Sequence, residues 1–264
     1  MNKKQLRRTL ESGGTTVGGW LQFAQPAHAE IFARAGFDWV VIDLEHSVIS
    51  LREAEDHIRI LDQGNCVPLV RMSSNDPVQI ARIMDAGAHG IVVPQVNTRF
   101  QAEAAVEAVF YPPAGKRGVG LARAHGYGGD FEEYRRWLPE NGVVIIQVEN
   151  GESVENLHEI LSVEGVQGFL IGPYDLSASL GVPGQLDHPR MQEALAKIHE
   201  VAKDFPNLAK GIHKVGNDPQ PVIEAAAEGY RLIAYSTDML FLSQSCSAGM
   251  TAVRAGLLQE DSAD

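Results

Sequence analysis

Residues 143–172 read VVIIQVENGESVENLHEILSVEGVQGFLIG, and their pattern is the clearest indication of the architecture. Two short apolar runs, VVIIQV and GFLIG, flank a segment whose apolar residues recur at helical spacing. Strands that are almost continuously apolar are buried on both faces, which is typical of a parallel sheet covered by helices. The stretch therefore predicts a strand–helix–strand unit of a parallel sheet.

The same alternation continues in both directions along the chain. Amphipathic segments, several of which end in glycine, separate further β-branched runs. These runs predict strands at residues 17–23, 38–43, 67–71, 90–95, 208–212 and 230–235. Eight such units in 264 residues favour a closed (β/α)8 TIM barrel that forms a single domain over residues 1–264. A doubly wound open sheet is the alternative, but no glycine-rich phosphate-binding pattern follows the first strand.

The composition limits the classes of partner. The 34 acidic and 22 basic residues give a net charge of −12, so the chain repels nucleic acids and anionic lipid. No apolar run reaches transmembrane length, and no signal peptide is evident at the N-terminus. Cys66 and Cys246 belong to no paired motif. We therefore expect reduced thiols and a cytoplasmic location.

Two further regions stand out from the alternating pattern. Residues 110–142 are rich in Gly, Pro and Arg and predict a long loop between the fourth and fifth strands, which is either functional or disordered. The stretch after Tyr235 predicts a long, mostly apolar helix. Such a helix either covers the barrel or packs on another subunit.

In a β/α barrel the active site lies at the carboxyl ends of the strands. Polar side chains and glycine–proline turns occur at those positions here, so we expect them to share one mouth. The residues concerned are Trp20, Gln22, Asp43, Glu45, His46, Arg71, Gln95, Gln147, Glu149, Gly172, Pro173, Tyr174 and Asp175.

Glu149 and Asp175 both follow apolar strands and predict a metal site. Two carboxylates in a partly dry cavity repel each other, and a divalent cation removes that repulsion. Mg²⁺ and Mn²⁺ prefer oxygen ligands and leave positions for water and substrate. The alternative is that each acid caps the helix that follows it, since GPYDLSAS resembles a helix start.

Arg71 and His46 are candidates for substrate binding and proton transfer. Arg71 ends an apolar strand and can hold a carboxylate through two parallel hydrogen bonds, although a structural salt bridge is the alternative. His46 is a candidate general base, and Asp85 in MDAGAHG is a candidate to orient it. The other histidines, His213 among them, have no comparable setting. No lysine is expected near the end of a central strand, which disfavours a Schiff-base mechanism.

Five blocks of the sequence resemble one family, in that family's order. They are AGFDWVVIDLEHS, VRMSSNDPVQIARIMDAGAHGIVVPQVNT, YPPAGKRGVG, IQVENGESVENLHEIL and VEGVQGFLIGPYDLSASLG. On these blocks the chain resembles the class II pyruvate aldolases of the HpcH/HpaI aldolase/citrate lyase family. The resemblance implies a TIM barrel that reversibly cleaves a 4-hydroxy-2-oxo acid to pyruvate and an aldehyde through the pyruvate enolate.

The resemblance also implies roles for particular residues. It implies that Glu149 and Asp175 hold a Mg²⁺, Mn²⁺ or Co²⁺ ion, that Arg71 stabilises the enolate, and that His46 paired with Asp85 transfers protons. Family members form hexamers of dimers that exchange the C-terminal helix, so a homo-oligomer is implied here. The residues that match the pocket wall are Trp20, Gln147, Gly172, Pro173 and Tyr174.

The sequence departs from the family pattern near the expected position of the aldehyde. Strand 2 continues as DLEHSVIS where DGEHAPN is usual, and Tyr174 replaces the alanine of GPADLS, which puts the identity of the aldehyde in doubt. Two other functions remain open. A citrate-lyase-like acyl-CoA lyase could use Lys116, Arg117 and Arg123 for the CoA phosphates, and a ligand-binding barrel without turnover would lack one of the key residues.

Overall fold

Eight parallel strands close into a barrel in the computed structural model, which describes residues 5–260. The strands follow one another in chain order, and the last pairs with the first through Thr16–Leu232 and Val17–Ile233. The prediction of a (β/α)8 barrel is confirmed. The strands are β1 (Thr16–Leu21), β2 (Trp39–Asp43), β3 (Val67–Arg71), β4 (Gly90–Val93), β5 (Val143–Val148), β6 (Gly168–Ile171), β7 (Ala209–Lys214) and β8 (Leu232–Tyr235).

Helices cover the outside of the barrel. Several begin with proline in the first turn, where its missing N–H costs no hydrogen bond, and capping boxes are present at Ser50–Glu53, Thr98–Gln101 and Asn150–Ser153. The helices are α1 (Leu6–Glu11), α2 (Pro26–Ala35), α3 (Leu51–Gln63), α4 (Pro77–Asp85), α5 (Arg99–Val109), α6 (Phe131–Asn141), α7 (Gly151–Glu155), α8 (Leu157–Leu161), α9 (Pro173–Ser179), α10 (Pro189–Ala202), α11 (Gln220–Ala227) and α12 (Asp238–Glu260).

The core lies on both faces of the barrel wall. Every residue of β2 to β6 is buried, as the continuous apolar runs predict. Alternate strand residues such as Trp39, Leu69 and Ile145 form an inner cluster, and Leu6 and Leu10 of α1 join it. Because side chains fill the interior, a site is expected at the carboxyl ends of the strands.

The segment 110–142 differs from the predicted long loop. Its last part is the helix α6, and residues Arg123–Gly128 form a short 3₁₀ turn in which Tyr127 has a left-handed backbone with φ of 56°. Because the segment follows α5 and leads into β5, it lies at the amino ends of the strands. It is therefore on the opposite face of the barrel from the predicted mouth.

The long C-terminal helix is confirmed as α12, and only its start packs on the barrel. Phe241 contacts Phe32 and Tyr235, whereas Leu242, Met250 and Val253 are more than half exposed. No helix within residues 5–260 combines the length and apolar character needed to cross a bilayer. The exposed apolar side chains of α12 are available to another surface.

Candidate active site

A cavity of about 390 Å³ opens at the carboxyl ends of the strands. It brings together the predicted pocket residues from β1, β3, β5 and the β6–α9 turn. Glu149 lies just behind this wall, because a Cβ built on Gly172 would be 3.0 Å from the Glu149 Cβ. The lining residues are Trp20, Gln22, His46, Arg71, Gln147, Leu170, Ile171, Gly172, Pro173, Tyr174, Asp175, His213 and Val215.

Arg71 is buried and paired with Asp43 at the base of the cavity. The guanidinium donates from Nε to Oδ1 at 2.9 Å and from Nη2 to Oδ2 at 2.6 Å, and Nη1 lies 3.2 Å from Oε2 of Glu45. Burial alone would raise the pKa of Asp43, but the bonds from Arg71 outweigh it and lower that pKa. The salt-bridge alternative for Arg71 is thus realised, and the side chain still faces the cavity.

Asp43 also shapes the turn that carries His46. Its Oδ1 accepts from the backbone N–H groups of Glu45 and His46 at 3.0 and 3.1 Å, so strand β2 ends and the chain turns. The side-chain alternation of a strand therefore does not extend to His46. The His46 side chain is 57% exposed, and its Nε2 lies 4.0 Å from Oε2 of Glu45. Gln22 donates to Asp43 and to the His46 carbonyl, which fixes the turn.

Glu149 is 2% exposed and is held by two glutamines. Its Oε1 accepts from the backbone N–H and the side chain of Gln95 at 2.7 and 2.9 Å, and its Oε2 accepts from Gln147. Gln95 adopts a left-handed backbone with φ of 54° to present its N–H. Burial, together with the charges of Glu45 and Asp175, raises the pKa of Glu149 to about 7.

Neither metal candidate caps a helix. The residue before α9 is Gly172, which makes no side-chain cap, and Asp175 lies exposed in the first turn. Asn150, not Glu149, caps α7 by accepting from the Glu152 N–H. The capping alternative is thus wrong for both acids, and both remain available to a ligand.

The donor set fits a divalent cation. Asp175 is close enough to disfavour the charge of both Glu45 and Glu149. The buried Oε1 of Gln147 has no hydrogen-bond partner. Nowhere in residues 5–260 do three His, Cys, Asp or Glu side chains form a complete cage. An oxygen-rich pair that leaves positions for water and substrate is what Mg²⁺ or Mn²⁺ accepts.

The structure does not bring Asp85 to His46 within one chain. Asp85 ends α4 five residues before β4 begins, so it lies at the amino face, whereas His46 follows the carboxyl end of β2. There Asp85 pairs with the buried Arg117 at 3.2 Å. Burial raises its pKa, and Arg117 only partly offsets this.

Two expectations about β7 are wrong. His213 lines the cavity, and Lys214 is the last residue of β7, so a lysine does occur at a strand end. Because the predicted strand ended at Ile212, it included neither His213 nor Lys214. Because successive strand residues face opposite sides, Lys214 points away from the cavity that His213 lines, and it is absent from the cavity wall. A predicted β7 two residues longer would have placed His213 at the carboxyl end of a strand, where the active site of a TIM barrel lies.

The cations of segment 110–142 lie away from the cavity. Lys116 pairs with Glu107 at 2.8 Å, Arg117 with Asp85, and Arg123 with Asp62 at 2.8 Å. His125 is fully buried in the same region. The basic patch that the acyl-CoA alternative requires is thus at the opposite face of the same chain.

Carboxylates and a buried guanidinium at the mouth of a TIM barrel are typical of enzymes that stabilise negative charge on a bound substrate. Residues 16–242 match the HpcH/HpaI aldolase/citrate lyase family, and the chain belongs to that family. The resemblance drawn from the five sequence blocks is confirmed.

Named relatives and a solved structure agree with this assignment. A hydroxypyruvate/pyruvate aldolase of Roseobacter denitrificans is 37% identical over 238 residues, which cover 89% of this chain and 91% of that protein. A 4-hydroxy-2-oxo-heptane-1,7-dioate aldolase of Escherichia coli is 38% identical over 207 residues, which cover 76% of this chain and 79% of that one. A family member from Burkholderia cenocepacia has a TM-score of 0.89 at 30% identity, covering 96% of this chain and 100% of its own. The chain is an aldolase and therefore a lyase.

Proposed function

We propose that this aldolase reversibly cleaves a 4-hydroxy-2-oxo acid to pyruvate and an aldehyde, with a divalent cation as cofactor. One observation carries the proposal: Arg71 and Asp175 line one cavity at the barrel mouth, and Glu149, which feels the charge of Asp175, lies just behind the Gly172 wall of that cavity. The names of the relatives, which specify hydroxypyruvate, pyruvate and a 4-hydroxy-2-oxo acid, support this substrate class.

Glu149 and Asp175 would hold the ion, which we propose to be Mg²⁺, Mn²⁺ or Co²⁺. When bound, the ion supplies a Lewis acid for the 2-oxo group of the substrate. The protein contributes the placement of the carboxylates: Gln95 and Gln147 fix both oxygens of Glu149 from one side. Hydrogen bonds of this kind orient a ligand and tune its charge.

Arg71 would stabilise the negative charge that develops on the pyruvate oxygen. Its guanidinium is anchored at two points by Asp43, so it is oriented before substrate arrives. Gln147 and the Gly172–Pro173 turn would contact the carboxylate end of pyruvate, and Trp20 would form the wall behind it. Tyr174, which is 55% exposed at the rim, would lie against the aldehyde.

His46 would remove the proton from the 4-hydroxyl as the carbon–carbon bond breaks, and return a proton in the reverse direction. Its exposed ring has room to reach a substrate at the rim. Asp85 can orient His46 only if it comes from a second copy of the chain, because the two lie at opposite ends of one barrel. The exposed apolar side chains of α12 support a homo-oligomer, which we propose to be a hexamer of dimers with exchanged helices.

The test is exchange of the pyruvate methyl protons in D₂O, followed by NMR with Mg²⁺, Mn²⁺ or Co²⁺ and with excess chelator. Exchange should require the metal and should be lost in Glu149→Gln and Asp175→Asn. Glu152→Gln and Asp187→Asn, at exposed acids nearby in sequence, should retain it. Exchange that persists in chelator, or in both site variants, would show that the two acids hold no essential ion.

A further inference from the structure

His213 is a histidine of the cavity wall that the proposed reaction leaves unused. It lies in β7, its ring stacks on Trp20 with centroids 4.9 Å apart and planes 23° apart, and it lines the same cavity as Arg71. Arg71 also contacts Trp20, with Cζ 5.0 Å from the ring centroid. Trp20 thus places His213 beside the group that would stabilise the enolate.

The hydrogen bonds of His213 define its tautomer. Nε2 lies 3.0 Å from the backbone carbonyl oxygen of Ser236. A carbonyl oxygen can only accept, so Nε2 must carry the proton. Burial lowers the pKa of His213 to about 4, so the ring is neutral at pH 7. In a neutral imidazole with a protonated Nε2, Nδ1 is an acceptor.

This acceptor is free for a ligand. Within residues 5–260 no donor bonds to Nδ1, and Nδ1 is not among the side-chain atoms sealed from solvent. The nearby carboxylate of Asp43 is already occupied as an acceptor by Arg71, Trp20 and Gln22. A neutral acceptor next to a guanidinium does not attract a carboxylate, whereas it binds a hydroxyl group that donates a hydrogen bond.

We propose that His213 is a specificity-determining residue that accepts a hydrogen bond from a substrate hydroxyl close to the reacting carbon. The inference rests on the proposed function, because it places the substrate in the cavity between Arg71 and the metal acids. The hydroxyl could belong to the keto-acid donor or to the α-carbon of the aldehyde. Both sources have the same chemistry, and matched substrates distinguish them.

The experiment compares kcat/KM for pairs of substrates that differ by one hydroxyl. The donor arm uses 3-hydroxypyruvate and pyruvate with one fixed aldehyde. The acceptor arm uses glycolaldehyde and acetaldehyde with pyruvate. In His213→Leu we expect the preference for the hydroxylated member to fall about tenfold in one arm, the size of one lost neutral hydrogen bond. His213→Asn, whose amide oxygen can replace Nδ1, should restore part of that preference.

A merely structural role would lower all four rates together and leave both ratios unchanged, which would overturn the proposal. His158→Leu, at an exposed histidine outside the cavity, is the matched control and should leave the ratios unchanged. Metal-dependent methyl exchange with pyruvate alone is measured in each variant. If the wild type lacks that exchange, the proposed function fails; if exchange is present and the ratios do not move, only the role of His213 fails.

Discussion

Asp43 shows at the scale of single residues how the site is organised. It accepts six hydrogen bonds, from Arg71 twice, Trp20, Gln22 and the N–H groups of Glu45 and His46. A buried ion pair contributes little net stability because desolvation offsets the attraction. Its value here is orientation: one carboxylate fixes both the guanidinium and the turn that carries His46.

The substitution Arg71→Lys should therefore slow the reaction even though it keeps the positive charge. An ammonium cannot make the two parallel bonds that hold the guanidinium on Asp43, so its position in the cavity is lost. We expect pyruvate methyl exchange to slow by about 10²-fold or more, as when one donor to a developing oxyanion is removed. Arg82→Lys, at an exposed arginine of α4, is the control. Exchange within a factor of two of wild type would contradict the role of Arg71.

Gly172→Ala tests the position of Glu149 without altering a charge. A Cβ at Gly172 would lie 3.0 Å from the Glu149 Cβ, 3.2 Å from its Oε2 and 3.4 Å from Gln147 Nε2. Glu149 must then shift, and we expect the metal concentration for half-maximal exchange to rise about tenfold, since perturbing a group around a metal ligand costs 10–100-fold in affinity. Gly118→Ala, where an added Cβ meets nothing within 4 Å, should bind metal as wild type does. Equal metal affinity in both variants would place Glu149 away from the ion.

The positions of Arg71, His46, Glu149 and Asp175 at the strand ends could be predicted from the sequence, whereas that of His213 required a strand two residues longer than the local pattern indicates. A charged residue directly after a continuous apolar run is visible in the sequence, as at Arg71 and Glu149. The run of β7 is less apolar, and its last residues, His213 and Lys214, are in the strand because they pair with Ala234 and Tyr235. Pairing with a neighbouring strand is a tertiary contact, and the local sequence does not encode it.

At the scale of elements, the amino face of the barrel carries charges that serve stability. Asp62 of α3 pairs with His89, just before β4, and with Arg123 of the 3₁₀ turn, at 3.3 and 2.8 Å. Burial would raise the pKa of Asp62, but these two partners outweigh it and lower the pKa to about 2. Asp62 and its two partners therefore join three parts of the chain at the face opposite the candidate active site.

The lowered pKa of Asp62 predicts a pH dependence of stability. Because the folded pKa is below the ordinary value of 3.8, the stabilisation is fully present above about pH 5 and is lost as the pH falls towards 2. We expect Asp62→Asn to lower the free energy of unfolding in urea at pH 6 by on the order of 2 kcal/mol. The difference from wild type should shrink by pH 2.5. A difference that is constant from pH 6 to pH 2.5 would mean that the charge of Asp62 is not the cause.

The composition of α6 and of the residues before it explains why segment 110–142 was predicted as a loop. Pro139 lies inside α6, and residues 110–130, before the helix, hold six of the segment's seven glycines together with Pro112 and Pro113. Proline and glycine are typical of turns, so local composition argues against the helix. Tyr134 and Leu138 of α6 are nevertheless buried, and this packing outweighs the local preference.

For the whole molecule, two separate surfaces expose apolar side chains. On α12, Leu257 and Leu258 are 58% and 69% exposed, and exposed apolar patches mark surfaces that bind another molecule. At the amino face, Asp85 faces Gly120 between the exposed side chains of Val119 and Leu121. A second copy that covers these apolar residues could carry Asp85 to a His46 that it cannot reach in its own chain.

Complementation between two inactive variants tests this arrangement. If Asp85 acts on His46 of a second copy, His46→Ala and Asp85→Ala should each be nearly inactive in aldol cleavage. Mixing them after co-refolding should recover activity, because one site of each mixed pair then has both groups intact. If copies pair at random, about half of the pairs are mixed and one of the two sites in each mixed pair is intact, so about a quarter of all sites should be active. The control is a mixture of His46→Ala and Glu149→Gln. His46 and Glu149 serve the same site of one copy, so this mixture contains no intact site. Recovery no greater than in that control would confine Asp85 to its salt bridge with Arg117.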